Sequence, residues 1–182
     1  MTDTLPAISA TATAGKYLTF NLAKEVYGIR VLHVREIVAI TSITAVPKTP
    51  RFIKGVMNLR GKIVPLIDLH LKFQMDSCDY TRETCVVVVE VSGTRGKMLL
   101  GVIVDSVRDV MDVTASEIAD VPQFGVQVDT AYLSGMANTK NDLILLLDIE
   151  HVLSRDELTA VELTPITEIE SNDADATSVD QE

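Results

Sequence analysis

Ile53-Lys54-Gly55-Val56-Met57-Asn58-Leu59-Arg60 is answered 80 residues later by Leu133-Ser134-Gly135-Met136-Ala137-Asn138-Thr139-Lys140. The same shift lays Leu66-Ile67-Asp68-Leu69 on Leu146-Leu147-Asp148-Ile149. A second block recurs at a shift of 73: Gly28-Ile29-Arg30-Val31 falls on Gly101-Val102-Ile103-Val104, and Val34-Arg35-Glu36-Ile37 on Val107-Arg108-Asp109-Val110. Blocks repeated in one order mark a duplicated unit. Two copies with so long a period cannot form a solenoid, and they read as two small barrels of about five strands each, packed on one another.

The rest of the chain agrees with a mostly β fold. Leu18, Phe20 and Leu22 alternate with polar neighbours, and residues 85–91 are almost solidly valine, two patterns of strands. Arg60-Gly61 and the run Gly93-Thr94-Arg95-Gly96 predict hairpin turns, because glycine accepts the positive φ that tight turns demand. Ser154-Arg155-Asp156-Glu157 has capping-box spacing and predicts a short helix near the C-terminus. Asp68 and Asp148 each follow a strand and precede a helix-like stretch, which predicts helix caps rather than a pair of catalytic carboxylates.

The 182 residues are 47% hydrophobic but only 4% aromatic, so the core must be built from Val, Ile and Leu. A net charge of −10 argues against nucleic acid or an anionic membrane face as partner and favours protein partners. Residues 1–15 lack both the basic start and the apolar stretch of a signal peptide, and the longest apolar run, residues 98–104, is too short to span a bilayer. A cytoplasmic protein is expected, with Cys78 and Cys85 as ordinary reduced thiols. Disorder is expected in residues 1–15 and in the tail, 164–182. That tail holds six acids and no Lys or Arg and so supplies six of the ten net negative charges. The folded domain is expected over residues 16–163.

Enzyme chemistry is not expected. Gly93-Thr94-Arg95-Gly96-Lys97 is too short for a phosphate loop, and Met98 stands where a Mg²⁺-binding Ser or Thr belongs. His33, His70 and His151 are scattered, without metal-ligand spacing, and are expected on the surface; no cofactor or metal is implied. No nucleophile motif is found. What remains is the asymmetry between the copies. The Arg60-Gly61 pair and Pro65 occur only in the first, where the second has Lys140-Asn141 and Leu145. Gly61 and Asn141 can each supply a left-handed turn residue. Arg60 has no such structural reason, and its planar fork suits a fixed carboxylate or carbonyl as Lys does not. Pro65 is expected at a sheet edge or bulge.

Asn58-Leu59-Arg60-Gly61, followed by Ile63-Val64-Pro65 and Ile67-Asp68-Leu69 and preceded by Tyr27-Gly28-Ile29 and Val34-Arg35-Glu36-Ile37, resembles the bacterial chemotaxis coupling protein family, CheW. The likeness spans about residues 16–163. It departs from the family pattern at Lys62, at His70 and in the acidic tail. The resemblance implies two SH3-like five-stranded barrels and an adaptor without catalysis. Such an adaptor joins the histidine kinase CheA to the cytoplasmic tips of methyl-accepting chemoreceptors within membrane-associated arrays. It further implies that Val34, Glu36, Arg60, Gly61 and Ile63 lie at or near partner-binding surface.

Overall fold

A computed structural model describes residues 7–8, 10–122 and 131–162. The chain runs β1 (Ala7–Ile8), β2 (Gly15–Leu22), β3 (Glu25–Arg30), β4 (Val34–Ala39), β5 (Ile53–Leu59), β6 (Lys62–Asp68) and α1 (Leu69–Lys72). It continues through β7 (Cys85–Gly93), β8 (Gly96–Val104), β9 (Ser106–Val113), β10 (Ile118–Ala119), β11 (Val121–Pro122), β12 (Leu133–Asn138), β13 (Leu143–Leu147) and α2 (Arg155–Glu162). The fold is mostly β, as expected.

The valine run of β7 shows how the sheets are arranged. Val86, Val87, Val88 and Val89 are all fully buried, so this strand is covered on both faces. Val86 and Val88 point into a small cluster with Met57, Leu66 and Ile103. Val87, Val89 and Val91 point the other way, into a larger cluster with Leu18, Phe20 and Leu22 of β2. The small cluster is the interior of one sheet, ordered β4-β7-β8-β6-β5 and closed where Thr44, beyond β4, bridges Val56 of β5. The second sheet is ordered β10-β12-β13-β3-β2-β9 around Tyr17, Val113, Ala137, Ile144 and Leu146. Between the barrels lie 19 buried residues, against five inside each. At about 1.5–3 kcal/mol per buried large aliphatic side chain, the shared layer contributes more to stability than either interior.

Both sheets have the same plan. β9-β2-β3-β13-β12 corresponds to β4-β7-β8-β6-β5, and β10, with Ala119 opposite Met136, takes the place of the single Thr44–Val56 bridge. The repeat is therefore real in three dimensions, but its copies are interleaved. β2 and β3 of the first copy complete the barrel that holds β9, β12 and β13 of the second, while β7 and β8 of the second complete the barrel of β4, β5 and β6. Two parallel pairings join the copies in matching register: Leu146 opposite Gly28, and Leu66 opposite Gly101.

Asp68 caps α1, accepting the His70 N–H at 2.9 Å. Asp148 caps only a turn, its carboxylate accepting the Glu150 N–H at 3.2 Å, because residues 149–153 form turns and not a helix. The capping box of α2 is present: Glu157 accepts the Ser154 N–H at 2.7 Å and donates its own N–H to Ser154 Oγ at 3.2 Å. Pro65 does not lie at an edge. It stands in β6, between β8 and β5, opposite Val56. Val56 exchanges its backbone bonds with Thr44, on the far side, so this is a non-hydrogen-bonded pair and proline withholds no bond from β5.

The described part of the N-terminal segment also departs from expectation. Residues 7–8 pair with β11, and the amides of Thr11 and Ala12 both donate to the Ser134 carbonyl, at 2.8 and 2.9 Å. Tyr17 Oη donates to the Thr13 carbonyl at 2.8 Å. Backbone bonds, the Ala10 N–H on Asp120 Oδ1 at 2.6 Å, an Arg30–Thr13 side-chain bond and an apolar contact from Ala12 fasten this stretch, long-range partners that its composition does not reveal. The acidic stretch 164–182 lies outside the described residues.

Candidate functional site

The β5–β6 hairpin turns in two residues. Leu59 pairs with Lys62, leaving Arg60 and Gly61 at φ +51° and +86°. Left-handed conformation at both corners defines the type I′ turn that suits the twist of paired strands. Gly61 adopts it freely, and its N–H donates to Asn58 Oδ1 at 2.8 Å. Arg60 adopts it against the preference of a residue with a Cβ. In the second copy Thr139 and Asp142 close the corresponding corner through the Thr139 N–H to Asp142 carbonyl bond at 3.0 Å, but Asn141 does not take positive φ. The expectation of a left-handed Asn141 is thus corrected: the shared feature is turn length, not turn type.

From this corner Arg60 reaches across the closing seam of its barrel to β4. Its Nη1 donates to Glu36 Oε1 at 3.2 Å and its Nη2 to Oε2 at 2.9 Å, a two-point fork. The Arg60 side chain is 77% exposed and that of Glu36 27%. Such a pair contributes less than about 1 kcal/mol to stability, so its geometry is available for recognition without being needed for the fold. Arg35, next along β4, pairs instead with Glu90, whose carboxyl is held below its ordinary value by hydrogen bonds from Arg35 and Lys97.

A bulge between Val34 and Glu36 sets which way β4 faces. Without it Val34, Glu36 and Val38 would share one face. With it, Val34 packs on the layer between the barrels while Val38 packs inside its own barrel. Ile37 is left 45% exposed and Leu32, just before β4, 76% exposed. Of the five residues implied by resemblance, Glu36, Arg60 and Gly61 are thus brought together at the seam. Ile63 stands half-buried in β6, paired with Asn58, two residues beyond Gly61. Val34 is half-buried and turned toward the shared core. The exposed Ile37 and Leu32 were not singled out from sequence; Ile37 faces outward in an alternating strand, a signal that was present but unremarkable among so many aliphatic residues.

The other barrel carries a different seam. There Arg108 on β9 pairs with Asp142 of the β12–β13 turn at 3.2 Å, and Val110 and Leu143 are exposed. The strand carries the cation and the turn the acid, the reverse of the Glu36–Arg60 arrangement.

The expectation that all three histidines lie on the surface is corrected by His70, which is 6% exposed. Its Nε2 lies 2.8 Å from Asp105 Oδ1 and 3.4 Å from Cys78 Sγ, so residues scattered in sequence meet in space. Neither cysteine is in a disulfide, and no described helix is long and apolar enough to cross a membrane.

Comparison with known proteins follows the same outline. Residues 16–157 match the CheW-like domain. The chain is 38% identical over 159 residues to the chemotaxis protein CheW of Klebsiella aerogenes, covering 87% of this chain and 93% of that one. It is 32% identical over 145 residues to the chemotaxis protein CheW of Bacillus subtilis, covering 79% and 90%. Among solved structures, the scaffolding protein TtCheW from Thermoanaerobacter tengcongensis aligns with a TM-score of 0.70 at 33% identity, covering 80% of this chain and 96% of that one.

Proposed function

The chain belongs to the CheW-like family, and from that membership we propose that it is a chemotaxis signalling adaptor, which couples the cytoplasmic tips of methyl-accepting chemoreceptors to the histidine kinase CheA. It acts in the cytoplasm, gathered to membrane receptor arrays through these partners, and works by binding and not by catalysis. The observation that carries the reading is the exposed fork of Arg60 on Glu36. It is a pre-aimed pair of charges that the fold does not require, on a strand whose other face exposes the apolar Ile37. Planar guanidinium forks are frequent centres of binding energy in protein interfaces. Gly61 and Ile63 belong to the same surface, and Val34 holds β4 in position from beneath. The second barrel offers a face with the two charges exchanged in position, so that receptor and kinase have separate seats.

The test is a reconstituted assay with a CheA-type kinase and a receptor fragment. Arg60→Ala should abolish or strongly weaken receptor control of the kinase while the circular dichroism melt stays in place. Lys140→Ala, at the matching turn of the other copy, should leave control almost unchanged. Equal effects of the two substitutions, or competition of kinase and receptor for one seat, would overturn the reading.

A further inference from the structure

His70, Cys78 and Asp105 have no part in the seams, yet their donor atoms all lie within 4.8 Å of one another. We propose that they form a binding site for a zinc-class transition-metal dication, with His70 Nε2, Cys78 Sγ and Asp105 Oδ1 as ligands and a fourth position open. Around a tetrahedral zinc, ordinary bond lengths place N and S about 3.6 Å apart, S and O about 3.6 Å, and N and O about 3.3 Å. Those observed are 3.4, 3.7 and 2.8 Å. Only the nitrogen and oxygen must part, by about half an ångström, since they now share a hydrogen bond.

The ligands are also held from behind. Asp105 is the single residue between β8 and β9, and its other oxygen accepts the Ala23 N–H at 2.8 Å, which leaves Oδ1 directed at His70. Its own N–H donates to the Asn21 carbonyl at 3.1 Å. The His70 N–H is fixed on Asp68 Oδ1, and the segment after α1 reverses through Gln74 at φ +58°, with the Met75 N–H on the His70 carbonyl at 2.7 Å. Orienting contacts of this kind support metal ligands in built sites.

The donor set selects the ion. One sulfur, one ring nitrogen and one carboxylate oxygen suit Zn²⁺ or Co²⁺ and not Ca²⁺ or Mg²⁺, which take oxygen. Thiolate and carboxylate together neutralise a dication, so no net charge is left in a half-buried place. On binding, the Cys78 thiol loses its proton to solvent, and the imidazole takes the tautomer with the proton on Nδ1 and the Nε2 lone pair on the metal. The reaction releases about one proton per metal. The bound ion would tie the loop of residues 74–84 to the crossover between the two barrels.

Co²⁺ titration of the full chain tests this. One equivalent should give a thiolate-to-cobalt charge-transfer band and tetrahedral ligand-field bands, displaced by Zn²⁺. The band should vanish in Cys78→Ser, whose native residue is exposed, and persist in Cys85→Ser; Asp105→Asn should weaken binding at least tenfold. In the native chain, Zn²⁺ should protect Cys78 but not Cys85 from alkylation, read by peptide mass, so the result does not hang on the folding of any variant. Absence of the cobalt band, its survival in Cys78→Ser, or equal labelling of Cys78 with and without Zn²⁺ would overturn the proposal.

Discussion

The two barrels share a ladder and differ at the seam. At frame positions the copies agree: Gly28 and Gly101 face Leu146 and Leu66, and the Asp68 and Asp148 amides donate to the carbonyls of Phe52 and Tyr132, each at 2.8 Å. Across the seam the charges are exchanged, with Glu36 on the strand and Arg60 at the turn in one barrel, Arg108 on the strand and Asp142 at the turn in the other. Ladder positions are constrained by backbone geometry that both copies need, whereas exposed seam pairs carry little stability and are free to diverge. One scaffold can therefore present two chemically different faces at equivalent places, which is what an adaptor between unlike partners requires.

The largest effect should come from the frame, at a point where the barrels are not equally tight. Gly55 has φ +139°, and a Cβ there would press into the Thr44 backbone carbonyl. Its counterpart Gly135 has no such φ, and a Cβ there would meet Ala10 Cβ and Ala12 Cβ at 3.2 Å and the Ala119 carbonyl at 3.3 Å, close contacts that need a shift of only a few tenths of an ångström. Gly55→Ala should cost about 3 kcal/mol, through backbone strain and loss of the closing bridge. Gly135→Ala should cost about 1 kcal/mol or less. Urea denaturation of both variants measures the difference; equal losses would show that the first barrel is no tighter at its closure than the second.

Much of the frame is legible in the sequence because alternation, turn glycines and the Ser154–Glu157 spacing are local signals. The interleaving of the copies was hidden, since alternation in β7 or β2 says which side chains are buried but not which strand lies alongside. The two shifts, 80 and 73, identify equivalent residues, while the pairing of Leu66 with Gly101 and of Leu146 with Gly28 is a long-range choice. The same limit hid the cluster of His70, Cys78 and Asp105, whose sequence spacing matches no ligand motif. Of the candidate site, Arg60 and Glu36 were singled out separately, Arg60 by copy asymmetry. Their contact depends on β4 and β5 meeting at the seam, a long-range approach that no local pattern contains.

A smaller effect should come from the ion pair that joins the copies themselves, Lys72 of α1 with Glu157 of α2, at 2.7 Å and with side chains 16% and 23% exposed. Burial pushes the Glu157 carboxyl up, but hydrogen bonds from Lys72 and from the Ser154 N–H outweigh it and hold it below the ordinary glutamate value. A depressed carboxyl contributes stability above its unfolded value and loses it as pH falls through the folded one. Glu157→Gln should therefore lower neutral stability by about 1 kcal/mol or less and flatten the acid limb of the stability curve. Parallel acid limbs for the variant and the native chain would show that this pair does not hold the copies together.

The smallest and most discriminating effect is expected at the seam. Arg60→Asn removes the fork on Glu36, a loss of about 0.5 kcal/mol for so exposed a pair. It also places Asn-Gly in a type I′ turn, the residue pair that turn favours, and relieves a left-handed conformation costing about 1 kcal/mol for a residue such as Arg. The two terms nearly cancel, so stability should stay within about 0.5 kcal/mol of the native chain or rise slightly. Arg108→Asn loses its pair with Asp142 but gains no turn, because Arg108 lies in the strand β9, and it should fall by about 0.5 kcal/mol. Urea titrations at low and high salt separate these signs, since only the ion-pair part is screened. Receptor control of the kinase should nevertheless be lost in Arg60→Asn, which would place a disfavoured arginine at this corner for its contact with a partner and not for the fold. A loss of more than about 2 kcal/mol in Arg60→Asn would exceed any exposed pair and would mean that the fork clasps the barrel shut, so that the two seams differ in mechanical role as well as in charge.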